Sequence, residues 1–516
     1  MRFLVRHSTV ARALLAALTM SLCMAAQDNP SPDHKPKHHK YSLIDIGTLG
    51  GPASYNSAGG VGNLILNDHG TVAGYADTSA PDPYAPNCFD PDCYLAHTFR
   101  WDGGVITDLG ALPGVNDSAQ SGINDRGWVT GFSQNGVIDP LTGFPAVHAG
   151  LWKNRQILDL GTLGGYESLG IYVNNDGQVA GFATINATPD PYSFLGAPTH
   201  AFLWQNGVMQ DLGTLGGPDS FVGAGGINQR DGFVVGGSYT NDIPNPVTGL
   251  PTMDPFLWKD GKMTDLGTLG GTLCCQAATV ANNQGQVVGG SNLAGDLISH
   301  PFLWTKKAGI ADLGTFGGDN GQATWINDAG DIVGEADLPG SQTHDAFLWR
   351  KGVMTDLGNL GATSFAYAIN SQGQVVGASR IDATPGNSRA FLWEKGSPMV
   401  DLNTLIPAHS SLTLVVAFNI NERGEIAGTG VPAGCAPSDS ELCGHQYVLI
   451  PGGDCDQDNE DRIAESQQRI AAERAANAQY PATAQSADSP LTPIERIRST
   501  MRQRYHLPGQ PAAPRD

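Results

Sequence analysis

Basic side chains are scarce in this chain. Against 50 Asp and Glu stand 29 Lys and Arg, a formal net charge of −21 over 516 residues. The imbalance is sharper in the middle: residues 1–40 hold 6 basic and 2 acidic residues and residues 461–516 hold 8 and 6, which leaves 15 and 42, a net of −27, in 41–460. A surface so acidic repels phosphate backbones, which argues against a nucleic-acid partner. Long apolar runs are missing after residue 26, so the mature chain is expected to carry no transmembrane segment. Signatures of common chemistry are missing too. No Lys stands in a P-loop place, and there is no zinc-binding helix motif, no Cys-x-x-Cys pair and no serine nucleophile elbow.

What is abundant is repetition. The unit is clearest in HAFLWQNGVMQDLGTLGG, His200 to Gly217. Phe202-Leu203-Trp204 is a short apolar strand, Asn206-Gly207 supplies the two positive-φ positions of a tight hairpin turn, and Val208 to Leu212 is the returning strand. The hairpin recurs with Asp260-Gly261 and with Lys395-Gly396. Asp-Leu-Gly or a near equivalent begins at Asp45, Asp108, Asp159, Asp211, Asp265, Asp312, Asp356 and Asp401. Between successive copies lies a second hairpin whose turn runs from Asn to Gly, starting at Asn67, Asn124, Asn174, Asn228, Asn283, Asn327, Asn370 and Asn421.

Each repeat therefore supplies four short strands: a before the Asn turn, b (Val-Val-Gly), c (Phe-Leu-Trp) and d (Asp-Leu-Gly). Strands b and c are apolar on both faces and must be covered on both. Four strands per period of 44 to 63 residues predict an all-β fold, an eight-bladed β-propeller of four-stranded antiparallel blades. The first element, Ile44 to Gly47, is a d strand with no a, b or c before it, and the last set, ending near Ile450, lacks a d. The N-terminal d strand is expected to complete the final blade and remove both exposed edges.

The HAFLW and DLGTLGG strings, recurring in fixed order over residues 41 to 450, resemble the HAF-family extracellular repeat of secreted bacterial proteins. The resemblance implies secretion and a repeat fold, and brings no reaction or catalytic residues with it.

The ends read separately. Residues 1–26 form a signal peptide, with Arg2, Arg6 and Arg12 before an apolar run that ends in small residues. Residues 27–40 are a basic His/Lys/Pro linker, residues 41–451 the repeats, and residues 452–516 an acidic hinge and a short helical tail. Thr492-Pro493-Ile494-Glu495 opens a helix whose Ile494, Ile497 and Met501 stripe is flanked by arginines. That helix is expected to dock on the acidic propeller or to contact an anionic envelope surface. The chain is placed in the periplasm or outside the cell, where Cys88–Cys93 and Cys435–Cys443 are expected to close as disulfides. In the hinge, Asp454, Asp456, Asp458 and Glu465 have the spacing of a calcium loop, with Asn459 in place of the usual Gly, although no entering helix precedes it. An acidic solvated hinge is the competing reading.

Function is expected where the repeat varies. From the Gly ending strand b to the core of strand c, the interval is 25, 19, 21 and 20 positions in repeats 1–4, 13, 13 and 14 in repeats 5–7, and 19 in repeat 8. The long b–c loops share an end of the strands with the d–a loops. They offer Asp82, Tyr84, Asp139, Asp190, Tyr192 and Asn245 as binding residues for an extracellular polymer or protein. The loops pair by sequence, Pro81-Asp82-Pro83-Tyr84 with Pro189-Asp190-Pro191-Tyr192, and IDPLTGFP from Ile138 with IPNPVTGLP from Ile243. The recurring His97, His148, His200, His300 and His445 before strand c read as rim hydrogen-bonders. The expected role is a binding or scaffold module. The alternative is a propeller enzyme, a polysaccharide hydrolase or lyase, for which Glu335, following Gly334, is the best departure of a carboxylate from the repeat.

Overall fold

In the computed structural model, described here for residues 40–452 apart from 57–63, 86–87, 91, 191–192, 194, 247–248, 274–276 and 385, the protein is all-β. Its described helices are a single α-turn, Ser440–Cys443, and two short 3-10 turns. Residues 453–516, and with them the expected helical tail and calcium loop, lie outside the described residues, as do Tyr192, Cys274 and Cys275.

The third repeat shows the plan. Strand a (Ser168–Val173) pairs antiparallel with b (Val179–Thr184), b with c (Thr199–Gln205) and c with d (Val208–Asp211). Six sheets have four strands; the seventh has eight, because strands a of repeats 4 and 5 touch through one parallel pairing, Gly225 with Val280. The last three strands, Leu412–Ile420, Ile426–Pro432 and His445–Pro451, are joined by Tyr41–Gly47 from the N-terminus, Ile44 opposite Val448. The hairpin turn has the expected backbone, with φ of 52° at Asn206 and 86° at Gly207. The Lys395-Gly396 copy differs. There c and d pair only as far as Leu392–Val400, and Glu394 to Met399 form a wider loop that accommodates Pro398, which has no N–H to give a ladder.

Strand b is buried along its length in the third repeat, and Phe202, Phe256, Phe302, Phe347 and Phe391 of strand c have no exposed surface. Each Phe lies in a cluster drawn from two successive repeats, as Phe202 does with Leu151, Val173 and Val179. The Gly of Val-Ala-Gly is fixed by crowding: a Cβ on Gly181 would lie 2.0 Å from the Leu169 carbonyl oxygen and 2.7 Å from the Phe202 ring.

Two sets of side chains join the repeats. At one end the turn Asn is bound into its own turn and into the next. Asn124 Oδ1 accepts from Arg126 and Trp128 N–H, and its Nδ2 donates to Asn174 O at 2.8 Å. The same amide-to-carbonyl step runs from Asn67 to Asn124, Asn282 to Asn327, Asn327 to Asn370, Asn370 to Asn421, and Asn421 back to Asn67. In repeat 5 the turn residue is thus Asn282, not the expected Asn283: Asn282 O accepts from Gly285 N. The step is replaced around the Asn228 turn, which carries one extra residue. Asn174 Nδ2 there donates to Gln178 and Asn228 Nδ2 to Asn283 Oδ1.

At the other end, strand d is shorter than strand c. In repeat 3 it covers only Phe202–Gln205, which leaves the N–H groups of Thr199 and Ala201 to Asp219 Oδ1 (2.5 Å) and Ser220 Oγ (2.9 Å) of the next repeat. Glu167-Ser168 and Asp117-Ser118 serve the preceding repeats in the same way, and Gln446 N–H donates to Ser54 Oγ between the last repeat and the first. Gly181→Ala is expected to cost about 3 kcal/mol, since both the carbonyl and the ring must move. Denaturant unfolding measures it, and an unchanged midpoint would contradict the crowding described.

Candidate functional site

The b–c and d–a loops meet at one end of the strands. The d–a loop is built on its own side chains. Asp211 Oδ1 accepts from Gly213 N–H, while Thr214 Oγ1 accepts from Gly216 N–H and donates to Gly217 O. It is then fastened to the root of the next b–c loop, Leu215 N–H to Ser238 Oγ and Gly217 N–H to Tyr239 O, both 2.9 Å. The long loops thus stand on braced supports.

The four long loops open on turns of two patterns, matched throughout in loops 2 and 4 and at the opening turn in loops 1 and 3. In loops 2 and 4, Asp139 N–H donates to Phe144 O and Asn245 N–H to Leu250 O, with Gly143 and Gly249 N–H returning to Asp139 and Asn245 O. In loops 1 and 3, Asp82 N–H donates to Cys93 O and Asp190 N–H to Gly196 O, with Ala85 and Ser193 N–H returning to Asp82 and Asp190 O. Loop 1 is closed by the Cys88–Cys93 disulfide and loop 8 by Cys435–Cys443, as expected from the spacing. Two disulfides fit an oxidising compartment.

The expected binding residues are distributed unequally. Asp82 and Asp139 are buried, at 2% and 1% exposure, and their carboxylates accept from Tyr84 and Phe89 N–H and from Leu141 N–H. They hold their loops. Asp190, Asn245 and Tyr84 are half-buried on the loop surface. Among the described residues no group of three or more His, Cys, Asp or Glu is placed to hold a metal ion. No described helix is long and apolar enough to cross a membrane.

The recurring His residues pair across strands with the Asp that follows: His97–Asp108, His148–Asp159, His200–Asp211 and His300–Asp312 at 2.9–3.1 Å, and His445 with Asp45 from the N-terminal strand at 3.0 Å. For Asp159, burial alone would raise the pKa, but His148 and the Gly161 N–H outweigh it and hold the carboxyl below its usual range. Where the His is replaced the balance reverses. Asp254 is pushed up to about 6 by burial and then by Asp265.

Sequence reasoning missed the acid of the acid–Ser pair. Asp117, Glu167 and Asp219 are buried and face the loop acids: burial, then chiefly Asp82, pushes Asp117 up to about 8; burial and Asp139 push Glu167 up to about 8 against the Val147 N–H; burial and Asp190 push Asp219 up to about 7 against the Thr199 N–H. Its signal was in the sequence, an Asp or Glu before Ser shortly after the d–a loop in three repeats. Glu335 also proves unusual. Its Oε2 lies 3.2 Å from His344 Nε2, about a fifth of its side chain is open (21%), and burial, then Asp337, pushes it up to about 8.

No family model matches the chain, and no curated protein matches it. Among solved structures its backbone is similar to the dipeptidyl peptidase 4 of Porphyromonas gingivalis, with 10% identity and a TM-score of 0.42 over 74% of this chain and 59% of that one. The chain thus spans about three fifths of the peptidase. It is also similar to an ulvan lyase of a polysaccharide lyase family, 10% identical with a TM-score of 0.32 over 72% of this chain and 98% of that one, and to a luciferin-regenerating enzyme, 12% identical with a TM-score of 0.28 over 80% and 96%. None of these carries a residue or an activity over to this chain.

The buried acids set a pH dependence. Their folded pKa values lie above the ordinary carboxylate range, so the stability they contribute is complete below the ordinary values of about 4. It is lost progressively as pH rises from there through about 7 to about 8, and levels off above. The melting temperature is expected to fall over that range. Asp117→Asn, which keeps an acceptor for Ala96 N–H, should regain about 1–3 kcal/mol above it. A melting curve with the same slope in the wild type and in the Asp117→Asn, Glu167→Gln, Asp219→Asn triple variant would contradict this.

Proposed function

We propose that the strands form a closed eight-bladed β-propeller, completed by Tyr41–Gly47, that is exported and serves as a binding or scaffold module. Its ligand is an extracellular or envelope polymer, glycan or protein, held on the end that carries the b–c and d–a loops. The observation that carries this reading is the paired opening turns of the four long loops, each begun by Asp82, Asp139, Asp190 or Asn245 and seated on a braced d–a loop. Loops free of function drift, whereas these keep paired turn hydrogen bonds together with paired sequences. The opposite end repeats the same Asn turn with little change. The repeats are read as HAF-type on the recurring HAFLW and DLGTLGG strings alone.

A second reading, a propeller enzyme acting on polysaccharide, is favoured by one observation. Glu335 is a raised carboxyl beside His344, with Asp337 two residues along the same strand. Release of new saccharide ends by the wild type and none by Glu335→Gln would support it; no release by either protein would remove it.

Two experiments test the main reading. Deleting Tyr41–Gly47 would leave the His445–Pro451 edge unpaired, and the truncated chain is expected to self-associate in sedimentation; a stable monomer would count against closure. With a ligand recovered from culture supernatant or a glycan array, shortening the four loops to the length of the fifth is expected to abolish binding. Unchanged affinity in a folded protein would sink the proposal.

A further inference from the structure

One residue after the Gly of strand b, its side chain is paired across the sheet with a residue of strand a. The pair is Tyr55–Tyr75, Ala119–Phe132, Leu169–Phe182, Phe221–Gly237, Ala277–Gly290 and Phe365–Ala378 in repeats 1–5 and 7, and Val416–Thr429 in repeat 8. In repeat 6 it is Gln322–Glu335, two polar groups together. In repeats 1–4 and 7 rings fill this level, as with Tyr55 on Tyr75 at 4.9 Å and Phe182 against Phe221 at 5.7 Å. Gln322 instead lies over a glycine, its Cγ 3.6 Å from where a Cβ of Gly290 would be. On the other side stands Tyr367, between Phe365 at 4.8 Å and Phe418 at 5.4 Å. Repeats 5–7 have the shortest b–c loops, so this polar spot lies where the rim is lowest.

Charge marks the same place. Of the 15 basic residues in 41–460, 13 fall in the Asn turns or around the c–d hairpins, at the opposite end of the strands. The other two are Arg380, at the end of strand b in repeat 7, and Arg389, in strand c beside it, with Ser379 opposite Arg389. Among the described residues neither forms an ion pair, although acids crowd this end, whereas Arg350 is paired with Asp331 and Arg423 with Glu425. Arg380 is close enough to His344 to bear on its protonation.

We propose that Gln322, Glu335, His344, Tyr367 and Arg380 bind a uronate, a sugar unit carrying a carboxylate. The guanidinium takes the carboxylate in its planar fork, and the Gln322 amide, the Glu335 carboxyl, the imidazole and the phenol take hydroxyl groups. The site stands on repeats 6 and 7, apart from the four long loops, and does not depend on them. It is a binding site whether or not bond cleavage follows.

Protonation makes this consistent with an acidic protein. Burial, then Asp337, pushes Glu335 up to about 8, so below that pH it is neutral, donates a hydrogen bond and does not repel the ligand. The groups facing it are Asp337 on its own strand, His344 on strand c, and Tyr367 and Arg380 of the next repeat; Gln322 on strand a does not titrate. Asp337 is held by the Asn320 amide and N–H. His344 is pushed down by burial against Asp337, with Arg380 adding to the fall, so it is neutral and able to accept. Above pH of about 8, Glu335 ionises and opposes the carboxylate.

Titration calorimetry of the full chain with short oligomers of galacturonate and of glucuronate, and with their neutral methyl esters, tests this. Near pH of about 6.5 the acids are expected to bind at least about tenfold more tightly than the esters, and weakly or not at all near pH of about 9.5. Arg380→Gln is expected to remove the preference for the acid. Glu335→Gln is expected to keep binding and to lose the fall at high pH, and both variants are checked for a wild-type melting curve. The long-loop deletions should leave this binding unchanged. No binding of either acid, equal binding of acid and ester, or full binding by a folded Arg380→Gln protein would overturn the proposal.

Discussion

The structure depends on finding partners for backbone N–H groups that the sheets leave out. Strand c outruns strand d by three residues in repeat 3, and the exposed N–H groups at its start have no strand to meet. Buried and unpaired, each would cost about as much as a lost hydrogen bond. An acid and a Ser from the neighbouring repeat take them, and at the other end the turn Asn gives its amide N–H to a backbone carbonyl of the next repeat. Joints between repeats are therefore made by side-chain oxygens and amides as much as by apolar packing. Few can be altered without stranding a donor.

The two ends meet this need with different chemistry, and the difference shapes the surfaces. At the Asn turns a neutral amide donates to a carbonyl of the next turn, beside backbone N–H groups that donate to the carboxylates of Asp68, Asp125, Asp328 and Glu422, and the turns are nearly uniform. At the loop end three joints use carboxyls, set opposite Asp82, Asp139 and Asp190, so acid is buried against acid and the proton becomes part of the packing. Three of the outer His–Asp pairs behave in the opposite sense, the carboxyls of Asp108, Asp159 and Asp211 being held below their usual range by His97, His148 and His200 against burial. Variable loops, Arg380, Arg389 and Glu335 all lie on this end.

Much of this was legible in the sequence because each signal recurs. The Phe-Leu-Trp and Asp-Leu-Gly strands, the Asn turns, the unpartnered first strand and both disulfides follow from spacing and turn chemistry. Errors came where repetition was locally ambiguous. Adjacent Asn282 and Asn283 allowed a slip of one place, and Pro398 opened a hairpin whose Lys-Gly looked tight. Asp82 and Asp139 read as ligand residues because they are loop acids, yet an Asp opening a turn curls its carboxylate back onto nearby N–H groups. Asp117, Glu167 and Asp219 were passed over because their role arises from a length mismatch between two strands of another repeat. Glu335 stood out as a departure from the pattern. Its neighbours His344 and Tyr367 did not, since only folding brings a strand c and the next strand a to it.

The pairing of Tyr41–Gly47 with His445–Pro451 also sets a clock. Its partners are about 400 residues apart, as His445 and Asp45 show. At about 5–20 residues per second of synthesis, the first strand waits roughly 20–80 s for its mate to exist. Through that interval repeats can form in sequence, each resting on the last, while one strand stays without a sheet and the growing assembly shows a bare edge at either end. The pairing of the first strand with the last is therefore a late event, since its second partner is made only after the repeats between them.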